Sequence, residues 1–302
     1  MYGRAAMLIG IATPVVVQVP GVAAEWESSG TATDIADISS WADHLGFDYL
    51  TCSEHIAVPI EAATTRGSVY WDPLATLSYL AAFTSRIRLA TSVVVLGYHH
   101  PLAIAKRYGT LDRISSGRLI LGVGVGSLRE EFDLLNASWD DRGQRADDAI
   151  RALRSSLSTT TPTYRGKYYQ YTSLDIRPCA VQRHVPVWVG GRTVRSLHRA
   201  VELADGWMPF AVSLTQAAKM LSSVDIPDDF EVALGTSPLD PCEQTEEALH
   251  QIASLREAGA TAVTCSLSSR SASHFREQLS ALSELVHPLQ RRKHDNIRPR
   301  QA

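Results

Sequence analysis

Short apolar runs alternate along this chain with longer segments whose apolar positions recur at helical spacing, and this alternation predicts the fold. Strands are expected at Leu8–Ala12, Phe47–Cys52, Ile87–Val95, Leu119–Val123, Val185–Val189, Gly206–Phe210, Phe230–Leu234 and Ala262–Ser266. Helices are expected at Asp34–Leu45, Pro73–Thr84, Leu102–Ile114, Val194–Ala204, Leu214–Ser223, Glu243–Ala258 and Ser273–Leu285. A further one has Asp141, Arg142, Arg145 and Asp148 on a polar face and ends near Leu157. Leu119–Val123 is apolar at every position, as a strand covered on both faces must be. Eight strands, each followed by a helix, predict a closed (β/α)8 barrel of the TIM type, because parallel strands need crossover helices and closure removes both edges. Residues 159–184, with Tyr164, Tyr168, Tyr169 and Tyr171 around Gly166, interrupt the alternation and read as a hairpin insertion before strand five. One barrel domain is expected over residues 1–288, followed by a basic tail, 289–302, expected to be disordered and solvated.

Composition narrows the classes. A chain of 302 residues that is 45% hydrophobic can bury a barrel-sized core. A net charge of −3 gives no reason to expect a nucleic-acid or anionic-membrane partner. Cys52, Cys179, Cys242 and Cys265 are scattered without metal spacing, so all four are expected to be reduced and buried in a cytoplasmic protein, with no metal. Arg4, Leu8–Ala12 and the small residues Gly21–Ala24 imitate a secretory signal, but Pro14 breaks the run and strand one uses the apolar residues. No window reaches the roughly 18 apolar residues of a membrane span. Met7 is a candidate working start.

Barrel chemistry gathers at the carboxyl ends of the strands. Strand two ends in Ser53-Glu54-His55, where His55 is either a general acid or base or a loop residue capping the barrel. Strand three ends in Thr91-Ser92-Val93, and Tyr98, His99 and His100 follow without metal-ligand spacing. After strand four come Gly122, Gly124 and Gly126, whose offsets differ from the dinucleotide fingerprint. After strand five, Gly190-Gly191-Arg192 leads into a helix, which suits a phosphate cradle or a simple turn with a solvated arginine.

Five segments in order carry a resemblance over about Leu8–Leu285: GFDYLTCSEH; DPLATLSYLAAFTSRIRLATSVVVL with HPLAIAKRYGTLDRISSGRLILGVGVGSLREEF; the acidic and basic helix from Arg142; VPVWVGGRT; and ADGWMPF. Together the chain resembles the bacterial luciferase-like superfamily, most closely its actinobacterial oxidoreductases that use the deazaflavin coenzyme F420. The resemblance implies a redox cofactor across the barrel mouth. His55 would be the proton donor or acceptor beside the ring, with Glu54 as a second catalytic candidate. Ser92-Val93 would be a non-proline cis peptide beneath the ring; Gly124, Gly126 and Ser127 would touch the cofactor; Gly190, Gly191 and Arg192 would hold its phosphate. A homodimer is implied as well.

There are departures from the sugar-phosphate dehydrogenases of this branch. Ser127 stands where they carry an acid, and Pro59 where they carry a tryptophan. Glu130 and Glu131 read as the start of a helix, where the dipole favours negative charge. The expected function is hydride transfer between F420 and a small organic substrate. An FMN-dependent monooxygenase and a non-catalytic flavin-binding barrel are the alternatives. Trp71, Tyr98, His99, His100 and Trp207, with few unpaired basic residues besides Arg192, suggest a pocket for an uncharged, apolar or conjugated substrate, unless these aromatics serve core or interface packing.

Overall fold

The computed structural model describes residues 7–289; the candidate start at Met7 is the first of these, and most of the basic tail lies outside the described residues. Eight parallel strands form the barrel: β1 (Leu8–Ala12), β2 (Tyr49–Cys52), β3 (Arg88–Thr91), β4 (Leu119–Gly124), β5 (Val187–Gly190), β6 (Gly206–Met208), β7 (Glu231–Gly235) and β8 (Ala262–Cys265). They pair in the order β5-β6-β7-β8-β1-β2-β3-β4, and the β4–β5 pairing, with Gly122 beside Trp188, closes the ring. The expected barrel is therefore the observed one.

The helices are α1 (Ala32–Leu45), α2 (Ile60–Arg66), α3 (Pro73–Ala81), α4 (Pro101–Ile114), α5 (Arg129–Leu134), α6 (Arg142–Arg154), α7 (Val194–Leu203), α8 (Leu214–Leu221), α9 (Thr245–Glu257) and α10 (Ala272–Val286). Their ends follow local chemistry. Thr31 and Asp34 form a capping box at the start of α1, Gly46 closes it at φ 88°, and Pro73 opens α3 behind the Asp72 cap. The short helix α2 was not expected, whereas α5 begins where Glu130 and Glu131 read as a helix start. Both lie in segments following barrel strands, and α2 is too short to show a helical period in the sequence.

Strand alternation divides the apolar residues into two layers. Tyr49, Ala90, Ile120, Trp188, Met208, Ala233 and Ala262 fill the barrel interior, while Leu50, Leu121, Val189, Trp207 and Val263 face the helices. Inside, Tyr49 packs edge-on against Trp188 at 5.4 Å and its hydroxyl meets Thr264 Oγ1 at 2.8 Å. Gly10 has no side chain because Tyr49 occupies that volume: a Cβ there would lie 2.2 Å from its ring.

Two expectations need correction, one of a strand and one of the cysteines. The single strand Ile87–Val95 is broken at Ser92-Val93, which is a cis peptide, and the chain resumes as Val94–Val95 alongside β4. The cysteines are all free, but only Cys52 and Cys265 are buried, burial pushing each thiol up to about 12. Cys179 is half-buried in the loop before β5, and Cys242 is exposed in the turn ahead of α9. The insertion is the expected hairpin, Tyr164–Arg165 against Gln170–Tyr171. It is tied to α6 by Asp148, which accepts from the Tyr164 hydroxyl and the Tyr168 and Tyr169 amides. No described helix is long and apolar enough to cross a membrane.

Candidate active site

At the carboxyl end of β2 the chain places Glu54 and His55 into two different networks. His55 Nδ1 lies 2.8 Å from Glu131 Oε2, and the Glu131 side chain is fully buried. Glu131 also accepts from the amides of Ile56 and Ala57 and from the Tyr98 hydroxyl at 2.6 Å. Burial alone would push this carboxyl up; the hydrogen bonds from His55, Tyr98 and Ala57 outweigh it and leave the group below its ordinary range. A carboxylate only accepts, so the His55 ring carries its proton on Nδ1. His55 Nε2 has no partner among the described residues, and Tyr70 packs edge-on against the ring at 4.6 Å.

The second network faces the other way. Glu54 accepts the Val95 amide at 2.7 Å and contacts His99 Nε2 at 2.7 Å. This pair borders a cavity of about 220 Å³ between α3 and α4, lined also by Asp72, Arg107 and Tyr108. Consecutive residues thus serve opposite sides: Glu54 and His99 brace the loop after β3, while His55 and Tyr98 share Glu131.

The cis peptide sits beside these networks. Ser53 Oγ donates to the Ser92 carbonyl at 2.7 Å, and the Ser92 amide donates to the Cys52 carbonyl. The Val93 side chain packs on the interior layer and lies against Gly124 and Gly190, where a Cβ would come within 2.6 and 2.9 Å of it. Gly126, at φ 82°, is similarly close to Phe132 of α5. These glycines are bare because protein side chains fill the space.

At the start of α7, Thr193 Oγ1 accepts the Ser196 amide and Ser196 Oγ meets the Thr193 amide. Arg192 is exposed and has no ion pair among the described residues; its nearest ring is Phe210, at 5.8 Å. Thr13, just past β1, is buried with an Oγ1 that has no partner among the described residues.

Across residues 7–298 the chain matches the family described as luciferase-like monooxygenase. The chain belongs to that family. An uncharacterized protein of Mycobacterium tuberculosis is 30% identical over 198 residues, which is 61% of this chain and 70% of the relative. Among solved structures, the monooxygenase RslO1 from Streptomyces bottropensis superposes with a TM-score of 0.72 at 22% identity, covering 93% of this chain and 99% of that one. An F420-dependent secondary alcohol dehydrogenase, in complex with an F420-acetone adduct, superposes with a TM-score of 0.74 at 14% identity, covering 94% of this chain and 99% of that one.

Within this luciferase-like barrel the structure sorts the residues singled out in the sequence. His55, Ser92, Val93, Gly124 and Gly190 gather at the mouth, and Tyr98 joins them through Glu131. Glu54 is committed to Val95 and His99, a bracing role. His99 serves that brace, and His100 caps α4 and packs against Tyr169 of the hairpin at 5.3 Å. Trp71 is half-buried against the core. Trp207 is fully buried on the helix-facing side of β6, bonded to Ser196 Oγ, so core packing describes it and a pocket wall does not.

Two residues given no site role in the sequence contact residues that were given one. Glu131 carries a signal in the sequence: Leu128, Glu131, Phe132 and Leu135 share one helical face, so its neighbours at that spacing are apolar whereas Glu130 faces out. Arg66 carries none. Its guanidinium reaches Ser127, with Nη1 donating to Oγ at 3.1 Å, and only the unexpected α2 brings the two together. Arg66 is one basic residue beside the mouth in addition to Arg192.

Proposed function

We propose that this protein is a two-electron oxidoreductase that moves a hydride between a deazaflavin of the F420 type and a small organic substrate. The observation that carries this reading is His55 at the barrel mouth, oriented by buried Glu131 and left with an unpartnered Nε2. The residues present fit a flat ring with an anionic tail. Val93 offers an apolar surface, the buried Thr13 hydroxyl lacks a partner among the described residues, and Arg192 stands at a helix start without a carboxylate.

When bound, the cofactor supplies the hydride chemistry at its ring carbon. His55 manages the accompanying proton. Its neutral ring, protonated on Nδ1, takes a proton at Nε2 when a substrate hydroxyl is oxidised; the imidazolium returns it when a carbonyl or enone is reduced. Glu131 holds the ring at one angle and stabilises the charged form. Similarity to the alcohol dehydrogenase supports F420, while similarity to the monooxygenase RslO1 supports a monooxygenase, with FMN as the alternative cofactor, as the second reading.

Titrating the apoprotein with each cofactor and following fluorescence separates them. F420 is expected to bind at least about tenfold more tightly than FMN, a difference of roughly 1.4 kcal/mol. FMN binding without F420 binding overturns the first reading, and binding of neither leaves a barrel without this chemistry.

The phosphate cradle needs a variant that spares the backbone. Gly191 has φ 129° and a Cβ there would lie 2.7 Å from Ser196, so any side chain deforms the turn with or without ligand. Arg192→Gln removes only the charge. It is expected to weaken the intact cofactor about tenfold and to leave binding of the phosphate-free ring fragment unchanged. Equal loss for both ligands places the phosphate elsewhere.

A further inference from the structure

Arg66 is a partly exposed arginine whose guanidinium, among the described residues, hydrogen-bonds only to a serine. Nη1 donates to Ser127 Oγ at 3.1 Å and Nη2 approaches the Ser127 carbonyl at 3.5 Å. No carboxylate among the described residues forms an ion pair with it. A guanidinium has five N–H donors, so most of its capacity is unused. Ser127 is exposed and accepts from Arg66, which leaves its own hydroxyl proton to donate.

The pair is held in place. The Tyr70 hydroxyl donates to the Arg66 carbonyl at 2.7 Å, and Gly67, at φ 76°, passes so close to the Gln18 carbonyl that a Cβ would come within 1.9 Å of it. The same Tyr70 packs against His55, and the Arg66 charge acts on both Tyr70 and Tyr98. The cation therefore belongs to the surroundings of His55. Glu131, the buried acid there, already accepts from four donors, and Arg66 is not one of them. A latch between α2 and the loop after β4 needs only a neutral donor; an unpaired positive charge suits an anion.

We propose that Arg66 and Ser127 form an oxyanion subsite at the barrel mouth that takes a carboxylate or phosphate group. The inference rests on the reading of this mouth as the ligand site, and it replaces an uncharged substrate with an anionic one wherever the anion belongs to the substrate. Two sources share this chemistry, an acidic substrate and the acidic tail of the cofactor. Charge-assisted pairing to a planar oxyanion is what arginine does best.

Calorimetric titration of the full-length apoprotein with benzoate, inorganic phosphate and, as a neutral control, benzyl alcohol tests the subsite without requiring the cofactor reading. Wild type is expected to bind at least one anion more tightly than benzyl alcohol. Arg66→Gln is expected to weaken that anion about tenfold or more, Arg66→Lys to keep part of the affinity, and both to leave benzyl alcohol unchanged. A loss confined to benzoate and phosphate assigns the subsite to the substrate. A tenfold loss of F420 affinity in Arg66→Gln, with benzoate unaffected, assigns it to the cofactor tail. Anion and F420 affinities that are all unchanged, with only the Tm lowered, reduce Arg66 to a latch and overturn the subsite. Failure of F420 to bind wild type while the benzoate loss persists sinks the cofactor reading alone.

Discussion

His55→Ala is expected to lower turnover by about 10²–10⁴-fold, the contribution of a positioned acid or base, while Tm falls by only a few degrees. The small stability effect follows from what the ring touches. Removing it takes one donor from Glu131, but the Ile56 and Ala57 amides and the Tyr98 hydroxyl remain on that carboxylate. His55 is also not a core residue, for its side chain is 16% exposed. The variant is best assayed on whichever member of a panel of enones, imines and alcohols the wild type turns over, with melting followed in parallel. Intact activity per folded molecule together with a large loss of Tm makes His55 a barrel cap and removes it from the chemistry.

The barrel was legible because its signal is distributed. Each strand is a run of apolar residues too short to be a helix, and eight such runs, separated by helical periods, admit few arrangements. Position along a strand then located His55 and Ser92-Val93 at the mouth. The orientation of individual side chains was less legible. Trp207 looked like a pocket aromatic from its place at a strand end, yet strand alternation turns it toward α7, where Ser196 takes its indole N–H. His99 and His100 are neighbours in the chain and part company in space, one to Glu54 and one to the hairpin tyrosines.

The missed site residues have a common cause. Glu131 and Arg66 lie on α5 and α2, helices of 6 and 7 residues whose existence depends on tertiary contacts. Phe132 anchors α5 by packing against Gly97 and Gly126, and Tyr70 with Gly67 anchors the end of α2. A charged residue on such a helix reads as solvated surface until the packing is known. Glu131 alone offered a warning, because its helical face is otherwise apolar.

Glu131→Gln is expected to cut kcat by on the order of 10²-fold or more with little change in KM, because it reverses the proton on His55 rather than removing a contact with ligand. The amide keeps the size of the acid and still accepts the Ile56 and Ala57 amides through its oxygen, but its NH₂ is a donor where His55 Nδ1–H needs an acceptor. The ring then carries its proton on Nε2, and the face left open to a substrate donates where it formerly accepted. Nitrogen-15 shifts of the His55 ring report this directly: the proton is expected on Nδ1 in wild type and on Nε2 in the variant, a change that a merely structural role for Glu131 does not produce. Stability has its own signature. The Glu131 carboxyl lies below its ordinary value of 4.5, so its contribution is fully present above that pH and is lost as pH falls through the depressed value in the fold. The part of the Tm difference between wild type and Glu131→Gln that comes from this carboxyl should therefore narrow as pH falls below the ordinary value. An unchanged tautomer with unchanged kcat would show that His55 is oriented by something other than this buried carboxylate.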